Sequence, residues 1–310
     1  MPWLLCFVCL SVLSAQSIES VIQMVLNLPI NRDSRRVGTD LSIGTIKMQR
    51  SQIYNPVSRK SRKKISVVIP VCNEQDNIMS LVKGLYGVLD AQPYDYEIIF
   101  VDDGSVDDTY KILRRAQTEV RNLTIIQFKK HLGQTSAFSA GFSYATGDYI
   151  ISMDGDLQND PQDIPKLLES IEEQYDAICG WRKHRHDSAS KRFLSKVFNI
   201  VRYLLLGDPV HDASCSFKIF RSAAVKSLLP LQSRNHNCLT SMLHLGGYKV
   251  GEMVVTHRPR IHGKTKYRNP FRIFRIFWML LYLRFWWYYT HRPQKGNTLD
   301  CSQIREIVKP

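Results

Sequence analysis

Lys64-Ile65-Ser66-Val67-Val68-Ile69-Pro70-Val71 is a nearly continuous run of β-branched residues. Without polar alternation, such a run predicts a strand buried on both faces, as in a parallel sheet. The next residues, 74–91, place Ile78, Leu81, Val82, Leu85, Val88 and Leu89 at helical spacing. Tyr96–Val101 is a second buried strand, and Asp107-Asp108-Thr109 supplies capping chemistry for the helix behind it. The alternation continues with a strand at Leu123–Phe128, a helix over 134–146 and a strand at Tyr149–Met153. Pro161 opens a helix reaching about residue 174, and Asp176–Gly180 is a fifth strand candidate. Strand–helix alternation of this kind predicts an α/β fold: a single, mostly parallel sheet with helices on both faces. Ligands of such a sheet sit beyond the carboxyl ends of the strands.

The rest of the chain is organised around that middle. The whole carries a net charge of +14, but residues 31–64 alone hold +8 and residues 258–295 hold +10. The central region is therefore mildly acidic, unlike a nucleic-acid groove, while the two flanks suit a polyanionic surface such as anionic lipid. Seven cysteines at scattered positions argue against a disulfide framework. Residues 1–63 read as an apolar leader (3–15) followed by a basic linker. The leader is too short to span a bilayer, which takes about 20 residues. Residues 269–292 include Pro270-Phe271-Arg272-Ile273-Phe274-Arg275 and the aromatic run that follows, interrupted again at Arg284. Aromatics with interspersed arginines match the headgroup region, so a helix lying in the membrane interface is expected there rather than a span. Residues 293–310 read as a polar tail.

Three of the predicted strands end in acids. Asn73-Glu74 follows the first, Asp102-Asp103-Gly104-Ser105 the second, and Asp154-Gly155-Asp156 the fourth. Carboxylates gathered at one sheet edge repel one another and are costly to bury. A hard divalent cation resolves that cost, and a glycine between Asp154 and Asp156 permits the tight turn that lets both reach it. No GxGxxG follows the first strand and no GxxxxGK[ST] occurs, so dinucleotide redox and P-loop chemistry lose their main support.

Taken together the motifs resemble those of family 2 glycosyltransferases, and specifically the polyprenyl-phosphate group that includes dolichyl-phosphate mannose synthases and undecaprenyl-phosphate glycosyltransferases. The resemblance rests on Ile69-Pro70-Val71-Cys72-Asn73-Glu74, Val101-Asp102-Asp103-Gly104-Ser105, His131-Leu132-Gly133-Gln134 and Met153-Asp154-Gly155-Asp156-Leu157-Gln158. It continues in order through Gly180-Trp181-Arg182, Lys191-Arg192 with Ser195, Asp212 with Cys215, and Gly263-Lys264-Thr265-Lys266, covering residues 64–268. Cys72, where an aromatic is usual, and His131, where Asn is usual, depart from the pattern.

The resemblance implies a GT-A, Rossmann-like nucleotide-sugar fold over 64–268. It implies a donor site formed by Pro70, Asn73, Glu74, Asp102, Asp103, Gly104, Ser105, Gln134 and Asp154, with Glu74 and Asp102 on ribose and base. Asp154, Asp156 and Gln158 would hold Mg2+ or Mn2+. Arg182, Arg192, Ser195, Lys264 and Lys266 would grip the phosphate of a polyprenyl-phosphate acceptor, and Asp156, Arg182 and Arg192 carry the catalytic expectation. The acceptor phosphate is already ionised, so it needs no base, and direct attack inverts the anomeric centre. The expected protein is membrane-associated, with its catalytic domain facing the cytoplasm and no nucleic-acid partner. Transfer to a polysaccharide or protein hydroxyl is the nearer alternative, and a basic nucleic-acid-binding protein the more distant one.

Overall fold

The computed structural model describes residues 62–183, 199–231, 235–259 and 301–310. Among these residues eight strands form one sheet in the order β7-β5-β6-β4-β1-β2-β3-β8. They are β1 (Lys64–Val71), β2 (Asp95–Asp102), β3 (Leu123–Phe128), β4 (Tyr149–Ser152), β5 (Ala177–Trp181), β6 (Lys218–Arg221), β7 (Val250–Val254) and β8 (Ile304–Val308). The helices are α1 (Ile78–Leu89), α2 (Thr109–Glu119), α3 (Gln134–Tyr144), α4 (Ile164–Glu173), α5 (199–206), α6 (Ser222–Lys226) and α7 (Leu239–Leu245).

The first strand behaves as its sequence dictates. Val67, Val68 and Ile69 are all fully buried, so both faces of β1 are covered. Pro70 cannot donate to a ladder, yet it sits in a central strand. The register explains this: β4 pairs with β1 only as far as Val68↔Ser152, so Pro70 lies beyond the end of β4. α3 packs tightly beneath, with Gly141 against Val68 and Val101.

Strands β1 to β4 are parallel, but the order reverses at β1: β2 and β3 lie on one side and β4 on the other. A ligand crevice opens at such a reversal. The sheet departs from the expected pattern at three places. β6 runs antiparallel between β4 and β5, β7 extends the far edge, and β8 runs antiparallel along β3. Smaller differences follow from local chemistry. β5 is shifted by one residue to Ala177–Trp181, and Pro161–Asp163 forms a 3-10 turn before α4. The α2 start is capped from Asp107, whose carboxylate accepts from the Thr109 N–H at 3.0 Å, rather than from Asp108.

The tail expected to be merely polar thus contains a strand. β8 covers the otherwise open β3 edge, with Gln117 Nε2 donating to the Val308 carbonyl at 3.2 Å and Tyr110 bonded to Glu306. An uncovered apolar edge strand templates association. A chain ending at residue 300 is expected to expose the Leu123–Phe128 edge, unfold at lower temperature and associate, read by thermal melts and light scattering. A monomeric truncation with an unchanged Tm would show β8 to be dispensable. The expected interface helix over 269–292 lies outside the described residues. Among the described residues no helix is long and apolar enough to cross a membrane.

Candidate active site

The loops that leave β1 and β2 are fastened to each other. Asn73 takes a left-handed backbone (φ 55°), which lets its N–H donate to Ser105 Oγ at 3.0 Å while its own Oδ1 accepts from the Val106 N–H at 2.9 Å. The Glu74 N–H donates to Thr109 Oγ1 at 2.8 Å, and the Glu74 carboxylate accepts from Asn77 Nδ2 at 2.6 Å. Gly104 has φ 67° and lies against the backbone of Lys130 and His131, where a Cβ would have no room.

Two of the expected donor residues point inward. Asp102 is fully buried; it accepts from the Ser105 N–H at 3.0 Å and from Gln127 Nε2 at 3.3 Å. Asp103 accepts from the N–H groups of Leu132 (2.7 Å) and Gly133 (2.9 Å) and pairs with His131 at 2.9 Å. Burial raises its pKa; the two backbone donors and His131 work the other way. Asp103 therefore ties the β2 end to the turn that launches α3, and so places Gln134 at the helix start.

That placement joins two distant motifs. Gln134 Nε2 donates to Asp154 Oδ1 at 2.6 Å. The other oxygen, Oδ2, accepts from Ser216 Oγ at the start of the β6 segment, and the Asp154 N–H donates to Asn159 Oδ1 at 3.2 Å. Ser152 Oγ donates to the Ser216 carbonyl at 2.5 Å, which clamps the end of β4 to the approach of β6. Gly155 sits so close to β1 that a Cβ would meet Val71 Cγ1 at 2.6 Å. The turn is completed by Leu157 at φ 62°, uncommon for a side chain of that size and the kind of strain found at functional sites. Asp156 is buried and accepts from the Gln158 N–H at 3.2 Å. The Gln158 side chain leans the other way, its Nε2 toward the Arg258 carbonyl at 3.5 Å.

The Asp154 carboxyl is pushed up to about 6, first by burial and then by the Asp156 charge; Ser216, Arg182 and Lys218 oppose the shift. Two acids in this relation fit a divalent cation, which removes the repulsion and the burial penalty together. No group of three or more His, Cys, Asp or Glu that could hold a metal occurs among the described residues. The sign of the linkage is definite. A carboxyl raised from 3.8 to about 6 holds its proton more tightly folded than unfolded, so the metal-free protein loses stability as pH rises through that window. A cation competes with that proton. The Tm increase from Mn2+ is expected to be small at pH 5 and full above pH 7, and Asp154→Asn should flatten the dependence. An equal Mn2+ effect at both pH values would contradict the assignment.

Arg182 lies at the end of β5 and is held as a fork. Nε donates to Asp212 Oδ2 at 2.7 Å, and Nη2 to Asp212 Oδ1 at 3.0 Å and to Ser214 Oγ at 3.1 Å. Its positive charge is felt at Asp154. Asp212 and Ser214 were not singled out for this role by the sequence; only the ordered position of Asp212 in the motif series marked it. Cys215 is buried, with its thiol pushed up by burial, in keeping with a packing role. Asp212 is fixed in turn from β7: Glu252 Oε1 accepts from the N–H groups of His211 (2.9 Å) and Asp212 (3.1 Å). Arg192, Ser195, Lys264 and Lys266 lie outside the described residues.

The glycosyl transferase family 2 model matches residues 66–229. A dodecaprenyl-phosphate galacturonate synthase of Rhizobium johnstonii is 36% identical over 237 residues, 74% of this chain and 69% of that protein. An undecaprenyl-phosphate 4-deoxy-4-formamido-L-arabinose transferase of Edwardsiella ictaluri is 35% identical over 66% of this chain and 62% of its own length. The chain thus spans from 62% to 69% of the length of these relatives. Among solved structures, a glucosyl-3-phosphoglycerate synthase from Mycobacterium tuberculosis, in complex with Mn2+, UDP-glucose and phosphoglyceric acid, superposes with a TM-score of 0.55. It has 15% identity and covers 73% of this chain and 79% of that one, a likeness of fold. The family match and these relatives make this a glycosyltransferase, and its sheet is GT-A-like. The chain belongs to glycosyl transferase family 2.

Proposed function

We propose that this protein transfers a sugar from a nucleotide-sugar to a polyprenyl phosphate, with inversion at the anomeric carbon. The observation that carries the reading is the juxtaposition at the sheet reversal. A face that calls for a cation (Asp154, Asp156) and one that presents a cation (Arg182) are joined by a single segment, in which Asp212 and Ser214 hold Arg182 and Ser216 bonds Asp154. The loops after β1 and β2 (Pro70, Asn73, Glu74, Gly104, Ser105) and Gln134 border the donor side. Mg2+ or Mn2+ at Asp154 and Asp156, with Gln158 adjacent, would supply Lewis-acid stabilisation of the leaving nucleoside diphosphate. Arg182, whose Nε and Nη2 are engaged by Asp212 and Ser214, would meet the second anion with its remaining N–H groups. Arg192, Ser195, Lys264 and Lys266 complete that assignment from sequence.

A hydroxyl acceptor would need a general base; three of the acids at the strand ends already have side-chain or backbone partners, Asp154 with Gln134 and Ser216, Asp103 with the α3 turn and Asp212 with Arg182. An ionised phosphate nucleophile fits that inventory. Nucleotide-sugars are cytosolic and the acceptor is a lipid, so the catalytic domain is placed at the cytoplasmic membrane surface, against anionic lipid. The test is a panel of nucleotide-sugars incubated with polyprenyl phosphate and Mn2+ or Mg2+. The expected product is one lipid-linked monosaccharide phosphate per nucleoside diphosphate released. Transfer to a saccharide or protein hydroxyl, with polyprenyl phosphate untouched, would overturn the reading.

A further inference from the structure

Lys218 opens β6 and is almost fully buried, at 2% exposure. The register sets it between Ser152, the last residue of β4, and Cys179 of β5, at the sheet edge that carries the active site. Its Nζ donates to the Cys215 carbonyl, and no ion pair to it occurs among the described residues. An ammonium taken out of water without a carboxylate against it is costly, and lysines are seldom buried this way.

The side chain lies at the root of the segment on which the site depends. Asp212 and Ser214 hold Arg182, and Ser216 bonds Asp154. The Ser216 carbonyl is tied to Ser152, the register partner of Lys218. The ammonium meets this segment at Cys215, between the residue that holds the arginine and the one that holds the acid. Its charge acts on Asp154, against burial and the neighbouring Asp156.

Three carboxylates (Asp154, Asp156, Asp212) stand against two cations (Arg182, Lys218) in this cluster, a net charge of −1. A divalent cation alone turns that to +1, and the two charges of a donor diphosphate return it to −1. The Lys218 ammonium opposes a lone cation and draws in a lone diphosphate, whereas the neutral pair of the two feels little of it. Because the charge is buried, salt screens it weakly.

We propose that Lys218 is a positioning residue of the donor site: a fixed buried charge that makes Asp154 and Asp156 take up their metal together with the diphosphate rather than alone. The inference rests on the metal reading of Asp154 and Asp156.

The test replaces Lys218 in the full chain in two ways. Lys218→Met keeps the length and loses both charge and donor. Lys218→Gln loses the charge and keeps an N–H for the Cys215 carbonyl. Calorimetry on wild type and variants follows Mn2+ alone, pyrophosphate alone in EDTA, and the preformed Mn2+–pyrophosphate complex. Both variants are expected to bind Mn2+ about tenfold tighter and metal-free pyrophosphate about tenfold more weakly, with the complex within about twofold of wild type. Shifts of opposite sign are what a charge produces. A residue that merely braces the 212–216 segment would weaken every ligand, and Lys218→Met more than Lys218→Gln. That pattern, unchanged affinities, or the failure of both variants to fold in thermal melts overturns the proposal. Wild-type protein that takes up no Mn2+ sinks the metal reading itself, whereas Mn2+ uptake without the opposite shifts sinks only the role of Lys218.

Discussion

Replacing Asp156 by alanine is expected to lower kcat by about a hundred- to thousandfold while leaving the melting temperature of the metal-free protein unchanged or slightly raised. The two halves of that expectation have one cause. Asp156 is buried beside Asp154, and its charge is among the forces that push the Asp154 carboxyl up to about 6. Removing it relieves a like-charge repulsion in the folded state, which offsets the loss of the hydrogen bond it accepts from the Gln158 N–H. The same removal takes away half of the carboxylate pair that fits a cation, and with it the neutralisation of the leaving diphosphate. Asp154→Ala is a less clean experiment. It leaves Gln134 Nε2 and Ser216 Oγ without their acceptor, and a buried donor deprived of its partner costs about 1–3 kcal/mol. Mn2+ titration by calorimetry, thermal melts and turnover on the same Asp156→Ala sample separate the effects. Retained turnover in the variant, or full activity of the wild-type protein in excess EDTA, would sink the metal assignment.

The parts of this fold that could be read from the sequence are those whose side chains are dictated by burial. β1, β2 and β3 each centre on an apolar run (Val67-Val68-Ile69, Ile98-Ile99-Phe100-Val101 and Ile125-Ile126), and α1 repeats its buried residues every three to four positions, so each declared itself. β6, β7 and β8 did not. Lys218-Ile219-Phe220-Arg221 is too short to show a period. Val250-Gly251-Glu252-Met253-Val254 contains Gly and Glu because Gly251 packs under Tyr175 and Glu252 serves the 211–212 backbone. β8 lies in a tail whose polarity reflects an edge position.

The site shows the same division. The acid-bearing turns were legible because they follow buried strands. Their internal partners were not, since Ser216 meets Asp154 across 62 residues and Asp212 meets Arg182 across 30. No periodicity encodes such pairings. Asp103 illustrates the consequence. From sequence it stands beside Asp102 as one more donor-facing acid; in the structure it is also bonded to backbone N–H groups and His131, contacts that tie the β2 end to the turn before Gln134.

Asp212→Ala is expected to be the most destabilising of the single changes considered. The Arg182–Asp212 pair is mostly buried, with side-chain exposures of 13% and 5%. Deleting the carboxylate leaves a guanidinium without its partner in a site where water cannot fully replace it. Breaking one side of a buried ion pair costs about 3–5 kcal/mol, which for a domain of this size is a Tm decrease of about 6–20 °C. Stability alone does not explain why such a pair is present, because well-packed apolar residues in both positions are often as stable as the pair they replace. The double variant Arg182→Leu, Asp212→Leu turns that fact into a test. It should recover most of the lost Tm, yet remain at least about tenfold impaired in acceptor KM, with donor affinity by calorimetry unchanged. Function would then reside in the charge that Asp212 holds in place, and the ion pair would be retained for the phosphate it meets. A double variant with both normal stability and normal acceptor use would make Arg182 a packing residue and move the acceptor site elsewhere along the strand ends.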